Sequence, residues 1–341
     1  MARATYAEIA EHAGVSTATV SRVLSGRDYV RPELAERVRA SATALGYRQN
    51  RAARTLRTQR ADAIGLVLSD VENPFFASVA RAVESVASAR DHAVLLCNTD
   101  EHIERESAHL DLMIAERVAG VIVAPATEDP AALSQLTEEG VPTVLVDRRA
   151  DGDPFDSVLI DHRTGARDLT EHMLGHGHRH IAVVMGTTEG TPSRERLTGC
   201  REAVARHPDA RLTVLEGRPA DAIGTAGTLE LGRRLVLDLA GRDTAGPTAV
   251  FCANNLLMQG CLYALRESGL RVPDDIALCG FDDQPMFDLV EPPLTVAAQP
   301  TEAIGRTAAE LLFDRIARPD GERRVHVLDP ELRVRRSCGC P

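Results

Sequence analysis

Two groups of side chains in this 341-residue chain could do chemistry, and the two kinds differ. The first lies between residues 5 and 24. Thr17, Ala18, Ser21 and Arg22 share one face of a short helix expected to start after Ser16. Small, hydroxyl and guanidinium groups at a helix N-terminus suit base edges in the DNA major groove. Downstream, Arg48, Arg51, Arg54, Arg57 and Arg60 recur at every third position with no acid among them. Like charges at that spacing repel on a helix surface, so such a helix is expected to form only against phosphates. Leu56, after the small pair Ala52 and Ala53, can wedge between base steps and kink a duplex. Read alone, the first stretch is equally a helical hairpin and the second a solvated basic linker.

The second group suits a polar ligand. Phe75 and Phe76 can cover an apolar face of a sugar or base, and Arg196 offers a planar fork of donors. Asp282 can accept from two adjacent hydroxyls, and Asn254 can both donate and accept. No enzyme constellation is found. Gly186 to Gly190 has the wrong spacing for a dinucleotide fingerprint, and neither a phosphate-binding lysine loop nor a nucleophile elbow occurs. No catalytic residue and no cofactor are expected.

Histidines 172, 176, 178 and 180 and the tail Cys338-Gly339-Cys340 invite a metal reading. Two cysteines do not close a zinc site, so no metal is expected and the tail is expected to be disordered. The other cysteines, in runs such as Val94-Leu95-Leu96-Cys97, read as reduced core residues of a cytoplasmic protein.

These groups need elements to hold them. Thr5 and Glu8 have capping-box spacing, Gly14 accepts a turn, Val15 plugs the angle between two helices, and Val20, Val23 and Leu24 form the buried face of the second. From residue 61, short apolar runs alternate with helical stretches. Strands are expected at Ile64–Leu68, Ala93–Cys97, Gly120–Ala124 and Thr143–Val146, then at Ile181–Met185, Leu212–Leu215, Ala249–Cys252 and Ile276–Cys279. Eight such repeats predict two doubly wound lobes, with ligand groups at strand C-termini.

Charge is divided in the same way. The chain carries 39 basic and 50 acidic residues, a net charge of -11, and every basic residue is arginine. Residues 1–60 hold 11 Arg and 5 acids, or +6, leaving -17 for the remainder. A basic head on an acidic body confines attraction for nucleic acid to one end. No apolar leader follows Met1, and no run is long enough to span a membrane.

The residues Val15-Ser16-Thr17-Ala18-Thr19-Val20-Ser21-Arg22-Val23-Leu24, Leu45-Gly46-Tyr47, Asn50-Arg51-Ala52-Ala53-Arg54 and Leu56-Arg57-Thr58 resemble the headpiece and hinge of the LacI/GalR family of bacterial transcriptional regulators. The similarity continues through Asn73-Pro74-Phe75-Phe76, Val144-Leu145-Val146-Asp147-Arg148, Gly177-His178-Arg179, Arg194-Glu195-Arg196-Leu197 with Gly199, Ala253-Asn254, Gly280-Phe281-Asp282-Asp283 and Pro293-Leu294-Thr295 with Gln299.

The resemblance implies an α/β chain: an N-terminal helix-turn-helix headpiece and a hinge helix, then two doubly wound α/β lobes like those of periplasmic sugar-binding proteins. Residues 1–47 would be the headpiece, 48–60 the hinge and 61–341 the effector-binding and dimerisation domain. The N-lobe would hold about 61–162 and 292–322, and the C-lobe about 163–291 and 323–337. A homodimer, without a tail-linked tetramer, would bind double-stranded operator DNA. Thr17, Ala18 and Arg22 would read bases, while Thr5, Ser16, Thr19, Ser21 and Asn50 would position the protein on phosphates. Ala53, Arg54 and Leu56 would act from the hinge. Phe75, Phe76, Asp161, Arg196, Asn254, Asp282 and Gln299 would hold a small polar effector, a sugar or sugar derivative.

Relief of repression is the default sign of the response, with corepression as the alternative. A solute-binding protein is the rival from another class, and residues 5–60 argue against it. The histidine cluster would belong to the family's helix-to-strand connection at Gly177-His178-Arg179. Departures from the family pattern are Gln49 before the hinge asparagine, Arg31 in place of a hydroxyl cap, Asn255 in place of an aspartate, and Arg218-Pro219-Ala220-Asp221 where an aromatic commonly stacks on the ligand. The chain also has no tryptophan.

Overall fold

A computed structural model describes residues 4–25, 30–47, 61–149, 152, 154–188, 190–240 and 246–340. The chain divides into two units, Met1–Gln59 and Arg60–Pro341. The expected hinge residues Asn50, Ala53, Arg54 and Leu56 lie outside the described residues.

In the first unit, α1 (Tyr6–Ala13) opens on the expected capping box. Thr5 Oγ1 accepts from the Glu8 amide at 3.3 Å, and the Glu8 carboxylate accepts from the Thr5 amide at 2.7 Å. The turn falls at Gly14 (φ 63°), and Ser16 then accepts from the Thr19 amide at 3.2 Å as α2 (Thr17–Ser25) begins. α3 (Pro32–Ala44) starts at Arg31, which makes no side-chain cap bond. Ile9, Val20 and Val38 are fully buried at the centre of the three helices, and Val15, Leu24 and Tyr47 pack against them.

The second unit alternates strand and helix: β1 (Ala63–Leu68), α4 (Pro74–Ser88), β2 (Ala93–Asn98), α5 (Ile103–Ala115), β3 (Val121–Val123), α6 (Ser134–Glu138), β4 (Thr143–Val146), β5 (Asp156–Ile160), α7 (His162–Gly175), β6 (His180–Met185), α8 (Thr191–Ala205), β7 (Arg211–Glu216), α9 (Gly224–Ala240), β8 (Ala249–Cys252), α10 (Asn255–Glu267), β9 (Ala277–Phe281), β10 (Thr295–Ala298), α11 (Thr301–Ala317), β11 (Val325–Leu328) and β12 (Glu331–Arg333). All eight expected strands form; six are buried runs of β-branched and aliphatic residues in a parallel sheet covered on both faces, and β2 and β7 are partly buried edges. Two six-stranded sheets result, ordered β11-β5-β4-β3-β1-β2 and β12-β10-β9-β8-β6-β7. Every pairing is parallel except β10 with β12.

The crossings between lobes differ from the expected 292 and 322. β10 pairs with β9 in the second sheet, so the chain leaves the C-lobe after Ala298, not near 292. β11 then pairs with β5 in the first sheet, and β12 returns to β10. The third crossing therefore falls at 329–330. The cause is Asp156, whose buried carboxylate accepts from the Arg324 amide at 2.7 Å and from Arg315 at 2.8 and 3.1 Å. An unpaired carboxylate there would be costly, so this segment is held to the N-lobe.

The tail also departs from expectation. Ser337 and Cys338 are fully buried, and the Leu278 amide donates to the Ser337 carbonyl at 2.9 Å. The Ser337 hydroxyl accepts from the Thr295 amide at 2.8 Å. Residues 337 and 338 are held in place because Ser337 satisfies backbone groups of the second sheet.

Helices pack closely where side chains are absent. A Cβ added at Gly199 of α8 would stand 2.2 Å from the Arg163 carbonyl oxygen of α7. This contact sets the spacing between the helices that carry Arg196 and His162. Gly199→Ala should therefore destabilise the chain by about 1–3 kcal/mol or more by overpacking. Thermal unfolding checks this, and an unchanged midpoint would contradict the close approach.

Candidate functional site

Two surfaces gather the expected functional residues. In the headpiece, Thr17, Ala18 and Arg22 are exposed at the start and middle of α2, while Val20 and Val23 on the opposite face are buried. Ser16 and Thr5 are also exposed, and Thr19 and Ser21 are half-buried. The hydroxyls of Ser16 and Thr19 lie 2.9 Å apart. The three-helix core thus presents the N-terminal half of α2 as a projecting polar edge, the geometry by which a recognition helix enters a groove.

The second surface is a cavity of about 640 Å³ between the lobes. Phe75, Phe76, Arg196, Asn254, Asp282 and Gln299 all line it. Asp161 does not. Its carboxylate accepts from the Thr164 amide at 2.9 Å and caps α7. A polar side chain just after a strand end serves ligand binding and helix capping alike; Asn254, which accepts from the Leu257 amide at 2.8 Å, caps α10 and still lines the cavity.

Asp282 occupies the left-handed region (φ 71°) directly after β9, which turns its carboxylate inward. It accepts from Gln299 Nε2 and, at 3.4 Å, from the Asn255 amide. Arg196 projects from α8, is 6% exposed, and lies over the Phe281 ring at 4.1 Å. It donates to the Ala253 carbonyl, and its Nε and Nη2 stand 3.3 Å from His162 Nδ1. Burial, then the neighbouring Arg196 cation, pushes the His162 imidazole well below its ordinary range, so the ring is neutral and accepts from Arg196.

On the N-lobe side, Asp147 and Arg148 follow β4. Arg148 binds Glu101 through two bonds of 2.8 and 3.0 Å. Burial opposes ionisation of Glu101, yet the Arg148 guanidinium outweighs it and lowers the carboxyl. Burial raises Asp147 despite Arg148 and Arg196. Asp70, Asn73, Glu101, Asp147, Arg148 and His162 were not among the expected ligand residues. The signal was present for three of them: Asp70 after β1, and Asp147 and Arg148 after β4, stand just beyond a buried strand, where open sheets place ligands.

Polar contacts among the described residues join the lobes around the cavity. Thr225 donates to Asp70 at 2.8 Å, Asn255 Nδ2 donates to Asn73 Oδ1 at 3.0 Å, and Glu128 accepts from Thr191 and, at 2.7 Å, from Arg194. The departure at Asn255 gains meaning here. An aspartate would offer only acceptors to Asn73 Oδ1, whereas the asparagine amide donates.

With this geometry in view, relatives can be compared. A family model described as "Bacterial regulatory proteins, lacI family" matches residues 5–50, and one described as "Periplasmic binding protein-like domain" matches residues 170–338. The "HTH-type transcriptional repressor PurR" of Aliivibrio fischeri (strain ATCC 700601 / ES114) is 32% identical over 340 residues, spanning 98% of both chains. The chain belongs to the LacI family of bacterial regulatory proteins. Another LacI-family relative, the "Ribose operon repressor" of Halalkalibacterium halodurans, is 33% identical over 312 residues, 92% of this chain and 90% of that one. The solved lac repressor dimer bound to operator and the anti-inducer ONPF aligns with a TM-score of 0.83 at 26% identity, covering 99% of each chain. The complex of transcriptional regulator CelR with cellobiose aligns with a TM-score of 0.67 at 32% identity, covering 98% of this chain and all of that one.

Beside the cavity, Glu106 of α5 is 1% exposed. One oxygen accepts from the Ala126 amide at 2.7 Å, and the other has no hydrogen-bond partner. Burial pushes its carboxyl from 4.5 up to about 7, against the opposing Ala126 bond and Arg148. Below the unfolded value both states are protonated. Between there and about 7 the folded state holds a proton that the unfolded state lacks, so stability falls as pH rises. Glu106→Gln removes that loss. Its melting temperature should gain on the wild type between pH 5 and pH 8, whereas a pH-independent difference would contradict the buried, protonated acid.

Proposed function

We propose that this LacI-family chain is a homodimeric, sequence-specific transcriptional repressor whose operator affinity is set by a small, uncharged polyhydroxyl effector held between the lobes. It acts as a binding protein, without turnover, in the cytoplasm. One observation carries the reading. A single chain holds both a projecting α2 edge of Thr17, Ala18 and Arg22 and an interlobe cavity lined by Arg196, Asp282, Asn254 and Gln299. The names of its full-length relatives, repressors of operons and regulators solved with sugars, support the same assignment.

The lining chemistry narrows the effector. Carboxylates of Asp70, Asp100, Glu101, Glu128, Asp147 and Asp282 surround the cavity. Both lining arginines are already engaged, Arg148 by Glu101 and Arg196 by Ala253 and His162. A phosphorylated effector would meet this acidic wall without an uncommitted guanidinium, so an uncharged ligand with several hydroxyls fits best. Phe75 and Phe76, with ring centroids 4.9 Å apart, supply an apolar flank. Small residues Ala220 and Ala222 line the wall near the segment where an aromatic stacks in many relatives.

The mechanism follows from the interlobe contacts. Effector binding changes how favourable Asp70–Thr225, Asn73–Asn255 and Glu128–Arg194 are, and so shifts the balance between two lobe arrangements. The effector acts only through its differential affinity for the two. The hinge wedge at Leu56, the phosphate contacts of Asn50 and Arg54, and the packing of Ala53 belong to this proposal and lie outside the described residues.

Two results test it. In a thermal-shift screen of neutral sugars, nucleosides and their phosphates, an uncharged polyol should raise the midpoint of the wild type. Asp282→Asn should weaken that ligand by roughly tenfold to a hundredfold, the worth of a charged hydrogen bond of about 1.5–3 kcal/mol, while leaving ligand-free operator binding intact. An unchanged Kd would remove Asp282 from the site. Arg22→Ala should cost about 1–3 kcal/mol on the operator and far less on random DNA, measured by fluorescence anisotropy at fixed salt. Equal losses on both would make Arg22 a phosphate contact only.

A further inference from the structure

The ordered tail brings together chemistry that the repressor reading does not use. His172 in the last turn of α7 and His176 at its C-cap stand four residues apart, with ring centroids 4.5 Å apart at the end of that helix. The chain turns back at Gly339 (φ 85°) and lays Cys340 against them. Cys340 Sγ is 3.0 Å from His176 Nε2 and 3.4 Å from His172 Nε2. Cys338 Sγ lies 2.7 Å from Cys340 Sγ, accepts from the Thr295 hydroxyl at 3.2 Å and donates to the Arg335 carbonyl at 3.2 Å. Among the described residues, His172, His176 and Cys340 form the one group of His, Cys, Asp or Glu side chains with donor atoms close enough to share a metal ion.

From this geometry we propose a closed zinc(II) site in which His172, His176, Cys338 and Cys340 are the four ligands. Two imidazoles and two thiolates make one of the standard tetrahedral sets for structural zinc, and the soft sulfurs disfavour magnesium or calcium. The tautomer of one ligand is already set. His176 Nδ1 lies 2.9 Å from the His172 carbonyl oxygen and donates to it, which leaves Nε2 unprotonated and facing the sulfurs. A backbone carbonyl in that role is the usual supporting contact of a metal-bound histidine. Zinc–sulfur bonds of about 2.3 Å set the two sulfurs roughly 3.7 Å apart, so binding separates the thiols and releases their protons. The adjacent His178 is not a ligand, because its Nδ1 pairs with Thr248 at 3.0 Å.

The site lies at the far end of α7 from His162, about 20 Å along a helix of this length, and is separate from the effector cavity. With all four positions filled by protein, zinc here would be structural. It would clamp residues 338–340 to α7 and to the strand ends of β9 and β10 that Ser337 already holds.

Full-length protein expressed with zinc and purified under reducing conditions should contain about one zinc per chain by elemental mass spectrometry. After chelation, cobalt(II) should give the intense visible bands of a tetrahedral, thiolate-bound ion. Cys340→Ser and His176→Gln change the helix end and tail without touching the buried Cys338. Each should weaken zinc by at least about a hundredfold, beyond the loss from a supporting contact alone, and abolish the cobalt spectrum while the fold persists by circular dichroism. Wild-type protein without zinc or a thiolate–cobalt spectrum would overturn the proposal. So would variants that bind zinc as tightly as the wild type, or a Cys338–Cys340 disulfide in the reduced preparation.

Discussion

The guanidinium of Arg196, buried where the two lobes meet, is the charge around which the cleft is arranged. Burying such a cation without partners would cost several kcal/mol, so each neighbour has a defined task. His162 stays neutral and accepts from it, Phe281 lies beneath it, and the Ala253 carbonyl takes a further donor. Asp282 and Asp147 add negative charge from opposite lobes. Gly199 allows α8 close enough to α7 for this set to assemble. Because the partners come from both lobes, lobe position and the polarity of the cavity are not independent.

That dependence makes the cleft suited to regulation. The contacts that join the lobes are few and polar, each a modest net gain in water. A ligand that replaces or reinforces one or two of them shifts the balance by an amount comparable to typical coupling energies, about 1–3 kcal/mol. Asn255 illustrates how one atom sets the balance, since its amide donates to Asn73 where a carboxylate would repel it. The basic head and acidic body divide charge in the same way, with +6 in residues 1–60 and -17 in the remainder.

Much of this was legible in the sequence. Eight strands were visible because each is a near-continuous apolar run, the six interior ones buried on both faces and β2 and β7 at the sheet edges only partly so. The headpiece was visible because caps, turn and buried face all pointed the same way. β5 and β10 were not visible because polar and small residues (Asp156 and Ser157, Thr295 and Ala297) interrupt their apolar pattern, and β11 and β12 because they are largely exposed edges. Two crossings were misplaced for a related reason: membership of a sheet there is decided by long-range partners, Asp156 for Arg324 and Ser337 for Thr295. Asp161 lies outside the cavity lining and caps α7, because capping and ligand binding draw on the same carboxylate at the same place after a strand. The tail looked disordered because its order comes from backbone bonds to Leu278 and Pro293, which no local pattern records.

The most direct test of the central claim, that this chain is an operator-specific dimer, is selection of bound sequences from random DNA by the full-length protein. Two headpieces related by a two-fold axis predict an enriched pseudo-palindrome with half-sites one helical turn apart and a pyrimidine–purine step at its centre. An asymmetric motif, or no enrichment over random DNA, would contradict it.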